Sequence, residues 1–296
     1  MKRRYKIGLG ITLGAAIGLG LGVWAQTANF QVLDARGEVA DKQLELLIFA
    51  SLLSLVVIIP VFTLLGVIAW KYREGNKKAT YLPNWGGNAY AEAVWWGIPC
   101  VLIGILSVVI WNSSHALDPY RPLESSKEPV NVQVVSLQWR WLFIYPDEGV
   151  ASVNHFKFPE DTPVNFTISA DSPMNSFWIP NLGGQVYAMN GMSTKLHLMA
   201  HKEGEFKGAT ANISGEGYSK MNFVATATSD VAYRNWIKQL RSEPQLDWGV
   251  YQELAKPVVD TSKKTYSLAD RDLYAKIINK YMPDHGSHGQ THGHGE

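Results

Sequence analysis

The stretch VNVQVVSLQWRWLFIYP, residues 130–146, marks where one kind of chain gives way to another. It is dense in β-branched and aromatic side chains, which suit a pleated, half-buried surface. The segments ASVNHFKF, PVNFTISA, SFWIP, QVYAM, TKLHLMA, GEFKGATA and MNFVATAT continue the theme, with Gly, Pro, Asp and Asn between them. Short strands at such spacing predict an antiparallel sandwich or barrel over 125–229. Beyond it the period turns helical, predicting a helical arm over 230–282. DVAYRNWIKQLRS sets Val231, Trp236, Ile237 and Leu240 at helical spacing. SLADRDLYAKIINKYM does the same with Leu268, Leu273, Ile277 and Ile278, with Ser267 as the cap and Asp270 three residues on.

Upstream the chain reads as membrane-embedded. Residues 46–70 and 93–111 carry no charge, and about 20 apolar residues span a bilayer. Pro60 predicts a kink in the first span. Trp70, Tyr72, Trp95, Trp96 and Trp111 sit where interfacial aromatic belts form. The loop at 71–92 opens with Lys71, Arg73, Lys77 and Lys78, and short positive loops stay cytoplasmic. The segment at 26–45 and everything after 111 then lie on the outside, in the periplasm or its equivalent. At 1–25 a basic start, an apolar run and a small-residue end read as a signal peptide. The spaced glycines Gly10, Gly14, Gly18 and Gly22 fit a retained N-terminal helix as well.

The chain has 296 residues, with 46% hydrophobic and 11% aromatic residues and a net charge of +1. No basic field argues for nucleic acid. The single cysteine, Cys100, rules out an internal disulfide or a Cys–Cys metal cluster. Four histidines in the tail at 283–296 (His285, His288, His292, His294) suit loose metal binding, but a flexible Gly/Ser context preorganises no geometry. The tail reads as disordered. His115, His155, His197 and His201 show no paired ligand spacing, and His197 reads as a structural strand residue. Glu92 opens the second span, where a boundary carboxylate is either a solvated interfacial group or a functional one. GATANISGEGYSKM, residues 208–221, has the rhythm of a metal loop, yet only Met221 in it is a plausible copper ligand.

Two spans with a positive inner loop and an exported sandwich resemble subunit II of the haem-copper oxidases. AEAVWWGIP resembles the family segment at the start of its second span, through Glu92, Trp95 and Pro99. LQWRWLFIYP resembles the family's aromatic segment, here with Trp139 and Trp141. MNSFWIPNLGGQVYAMNGM resembles a copper-domain stretch whose first ligand is a histidine, with Asn175 at that place. The family's copper loop runs Cys-x-Glu-x-Cys-Gly-x-x-His-x-x-Met. Thr210, Asn212, Ser214, Gly215, Tyr218 and Met221 stand there instead. Dinuclear copper needs bridging thiolates, and no metal is expected in this chain. The likeness therefore implies the quinol-oxidising branch, and the final segment resembles the arm of bo-type ubiquinol oxidases.

The implied fold is membrane-anchored α+β: a two-helix transmembrane hairpin, a periplasmic cupredoxin-like β-sandwich and a C-terminal helical arm. The implied role is that of a copper-free, non-catalytic subunit of a proton-pumping ubiquinol oxidase in the respiratory chain. Haems and copper would reside in subunit I, with further subunits III and IV as partners. Ubiquinol would be the substrate of the complex. Glu92 would mark a proton entry, and Trp139 and Trp141 would serve packing. The polar replacements Thr210, Asn212 and Ser214 are expected to hydrogen-bond one another, and Gly208, Gly215 and Gly217 to shape the loop. The lipobox cysteine of many branch members is missing, so lipidation is not expected. A copper-bearing cytochrome c oxidase subunit II and a membrane-anchored copper chaperone or assembly factor are the competing readings.

Overall fold

The computed structural model describes residues 30–80 and 86–282, with Gly18, Gly20, Gly22, Val23 and Pro83. The expected N-terminal segment at 1–25 falls almost wholly outside the described residues, and the tail at 283–296 does so entirely. The chain divides into two units, Asp41–Arg121 and the remainder.

The first of these units is built on helices α1 (Glu38–Lys71) and α2 (Ala89–Ala116). Both are long and apolar enough to cross a membrane, and neither buries its apolar window within the chain. A helix that is hydrophobic all round belongs in lipid or against another protein. Helix α1 begins at Glu38, ahead of the uncharged run, and continues through Pro60 without a break. Asn88 caps α2, its side chain accepting from the Tyr90 and Ala91 amides. The hydroxyls of Ser54, Thr63 and Ser107 donate to the carbonyl one turn back, so no hydroxyl among these three faces lipid unpaired. Leu46, Phe49 and Ala50 line an apolar crevice with Leu106, Val109 and Ile110.

The other unit is a sandwich of two sheets. Its strands are β1 (Val130–Leu137), β2 (Arg140–Tyr145), β3 (Val150–Val153), β4 (His155–Pro159), β5 (Val164–Ala170), β6 (Asn175–Trp178), β7 (Val186–Ala188), β8 (Thr194–Leu198), β9 (Gly204–Thr210), β10 (Asn222–Thr228), β11 (Gln245–Leu246) and β12 (Lys264–Leu268). The larger sheet runs β11-β12-β3-β2-β1-β5-β8 and the smaller β4-β10-β9-β6-β7. The sandwich is mixed rather than purely antiparallel, because β1 pairs β5, β4 pairs β10 and β11 pairs β12 in parallel. Asn154 carries the chain from one sheet to the other at φ 60°. Its side chain accepts from the Trp141 amide and donates to the Asp260 and Ser262 carbonyls.

Strand β2 explains its own composition. Trp141, Phe143 and Tyr145 point into the core between the sheets, beside Phe156, Phe166, Phe177 and Phe223. Phe177 and Phe223 stack at 4.9 Å. Leu142 and Ile144 face the other way, into a second core under the C-terminal arm. A strand covered on both faces reads as a continuous apolar run.

The arm supplies that cover. Helices α3 (Asp230–Leu240), α4 (Trp248–Leu254) and α5 (Leu273–Asn279) follow the sandwich. Ser229 caps α3, and Tyr233, Trp236, Ile237 and Leu240 are its buried face, while Val231 is exposed. Leu246, Tyr251, Leu254, Leu273, Tyr274, Ile277 and Ile278 close the second core. The helix expected from Ser267 starts later. Residues Lys264–Leu268 form β12 on the β3 edge, with Ser267 opposite Val150 and its hydroxyl on the Glu243 carbonyl. An open edge with unpaired backbone groups recruits a strand more strongly than local period opposes it.

Candidate functional site

The loop after β9 and the start of β6 meet at one end of the sandwich. Asn175 opens β6 and is buried. Its amide nitrogen donates to the Ser136 hydroxyl at 2.8 Å and to the Pro173 carbonyl at 3.1 Å. Its amide oxygen accepts from the Thr210 hydroxyl at 2.9 Å, also buried. Ser172 joins the cluster, donating to the Ser136 carbonyl at 3.0 Å. Buried polar groups are thus paired, as the cost of leaving them unpaired requires.

The expectation that Thr210, Asn212 and Ser214 bond one another is not met. Thr210 pairs with Asn175, and Asn212 accepts from the Ser176 hydroxyl at 3.1 Å. The Ser214 hydroxyl has no partner among the described residues. Strand β9 ends at Thr210, so the alternation that would set these three side chains on one face stops there, and Thr210 and Asn212 pair with neighbouring β6 instead. Tyr218 opens a short 3-10 turn, Tyr218–Lys220, and is half-buried. Met221 is packed in the main core.

Trp139 sits at the second position of the turn between β1 and β2, with φ 67°, where a bulky residue is unusual. Its indole N–H donates to the Ser214 carbonyl at 3.2 Å. The loop glycines explain the fit. A Cβ at Gly217 would lie 2.4 Å from the Trp139 ring, and Gly215 has φ 110° beside the same ring. Gly208 lies within β9 instead of the loop, and a Cβ there would strike the Phe223 ring at 2.0 Å. Trp141 is fully buried against Phe177 and Phe223.

The donor set here does not fit a dinuclear copper centre. Asn175, Thr210 and Asn212 offer amides and a hydroxyl already bonded to protein, Ser214 a lone hydroxyl and Met221 a single thioether, and the chain's one thiol, Cys100, lies in α2. Soft thiolates are what such a centre requires. Among the described residues no three His, Cys, Asp or Glu side chains converge. His155 and His197 have pKa values lowered chiefly by burial, which leaves them neutral near pH 7. His197 bonds the Asn165 amide oxygen at 2.7 Å, a structural use.

Glu92 lies in the first turn of α2, exposed, with its carboxylate turned toward Gly87. A negative charge at that end suits the helix dipole.

One cluster escaped sequence reasoning. Asp171, just past β5, is buried and accepts from Tyr251 at 2.5 Å, from Lys280 at 2.8 Å and from Tyr281. Burial pushes its carboxyl up, but the Lys280 ammonium and the tyrosine hydroxyls more than offset this and hold it below the usual range. The partners are about a hundred residues away in the chain, so no local spacing announces them.

Two family models match the chain. One is described as cytochrome c oxidase subunit II, periplasmic domain, over residues 150–228, and the other as COX Aromatic Rich Motif, over 241–285. The cytochrome bo(3) ubiquinol oxidase subunit 2 of Pseudomonas aeruginosa is 47% identical over 266 residues, 90% of this chain and 80% of the relative. The ubiquinol oxidase subunit 2 of Acetobacter aceti is 39% identical, covering 86% and 83%. The periplasmic domain of cytochrome oxidase subunit II from Bradyrhizobium japonicum aligns at 18% identity and a TM-score of 0.37, over 40% of this chain and 96% of that one.

Proposed function

The chain belongs to the ubiquinol oxidase subunit 2 family, and we propose that it is the copper-free second subunit of a proton-pumping terminal ubiquinol oxidase. Such a complex transfers electrons from ubiquinol to oxygen, forming quinone and water. The observation that carries the copper-free reading is the Asn175–Thr210 pair, two neutral side chains that satisfy each other at the end of the sandwich where the family's copper sits. A subunit without that relay cannot take electrons from a soluble cytochrome through this domain. Electrons then pass from quinol to redox centres in the partner, and haems and copper belong to subunit I.

We extend the reading to the remaining roles. Helices α1 and α2 anchor the chain in the bacterial inner membrane and brace subunit I, with subunits III and IV as further partners. The positive loop after α1 faces the cytoplasm, and the sandwich lies in the periplasm. Glu92 is then a carboxylate at the cytoplasmic boundary, suited to gathering protons for a pathway in subunit I. The donor assay tests the reading. The purified complex should consume oxygen with ubiquinol and not with reduced cytochrome c. Cytochrome c oxidation without quinol would overturn it.

A further inference from the structure

We infer that the C-terminal arm ends in a clamp that locks two loops at the Asn175 end of the sandwich, with Asp171 as its buried acceptor. This inference is independent of the electron donor. Asp171 has a side chain 2% exposed, and its three donors all come from the arm: Tyr251 on α4, and Lys280 and Tyr281 just past α5. A buried carboxylate is tolerated only while such partners stay in place. Those are also the titratable groups that face it.

The acceptor is wired to the polar cluster. The Asp171 amide donates to the Ser136 carbonyl at 2.8 Å, and the Ser136 hydroxyl accepts from Asn175 at 2.8 Å. Thr210 completes the chain at 2.9 Å. Hydrogen bonds joined through the residues they share therefore link Lys280 to Thr210 at the end of β9.

A second jaw holds the loop at 189–193. Tyr281 packs on Gly191, where φ is 68° and a Cβ would lie 3.2 Å from the Tyr281 Cβ. The Tyr274 and Ser193 hydroxyls meet at 3.2 Å, and Ser169 donates to the Met189 carbonyl. One short stretch, Tyr274 to Tyr281, thus touches both loops.

The test is hydrogen exchange on the purified complex. With Asp171→Asn, peptides covering 172–176, 189–193 and 273–282 should exchange faster together, by on the order of tenfold or more, with α3 unchanged. Lys280→Met added to Asp171→Asn should change little further, since both break one link. Tyr281→Phe, which removes one hydroxyl, should give a weaker version of the same pattern and serves if Asp171→Asn does not assemble. Faster exchange in the arm with both loops unchanged would overturn the clamp. So would additive effects of the Asp171 and Lys280 changes.

Discussion

At the scale of single residues, Asn175, Thr210, Ser136 and Ser172 form a set of satisfied hydrogen bonds at one end of the sandwich. Thr210→Val removes the donor to the buried Asn175 oxygen. That leaves an unpaired acceptor and should cost about 1–3 kcal/mol, read as a lower thermal midpoint of the purified complex. Gly208→Ala should cost a similar ~1–3 kcal/mol by overpacking, because Phe223 occupies the space a Cβ needs. Asp171 and Lys280 set a pH window. The carboxyl is lowered and the ammonium raised. The first contributes above its unfolded value and is lost as pH falls through the folded one; the second contributes below its unfolded value and is lost as pH rises through the folded one. Exchange protection of the arm should therefore be flat between roughly pH 5 and pH 9 once intrinsic exchange rates are divided out. A fall in protection within that window would contradict the pairing. The positions Asn175 and Thr210 were legible through the resemblance to the family's copper-domain motifs, whereas their partners were not. Partner choice depends on which strand lies alongside, and that is set by register.

At the scale of elements, β2 joins the two cores of the sandwich. Leu142 and Phe143 are adjacent in sequence and sit in different cores. Phe143→Ala should cost about 3–5 kcal/mol and loosen the whole sandwich. Leu142→Ala should cost about 2–5 kcal/mol and raise exchange chiefly in α4 and α5. The two-sided burial is why 130–146 announces a β domain so clearly, and why alternation is weak there. The membrane helices were equally legible, since length and lack of charge suffice. Strand β12 was not. Its residues Lys264–Leu268 are half-buried throughout and become a strand only because β3 offers an open edge. Helix α5 is correspondingly short, beginning at Leu273 where the apolar period meets the second core.

At the scale of the whole molecule, the chain combines an anchor of two apolar helices with a sandwich closed by its own arm. Glu92→Gln should leave assembly intact and slow ubiquinol oxidation by roughly tenfold, about 1.4 kcal/mol in barrier. Unchanged turnover and unchanged proton release would refute the proposed role of Glu92 in proton entry. We propose that the sandwich holds no copper, because the neutral Asn175 and Thr210 side chains pair with each other. Copper content per copy of this chain, measured after growth in copper-replete medium and separation from its partner subunits, tests it most directly. No retained copper is the expected result. A tightly held copper pair on the isolated chain would contradict it.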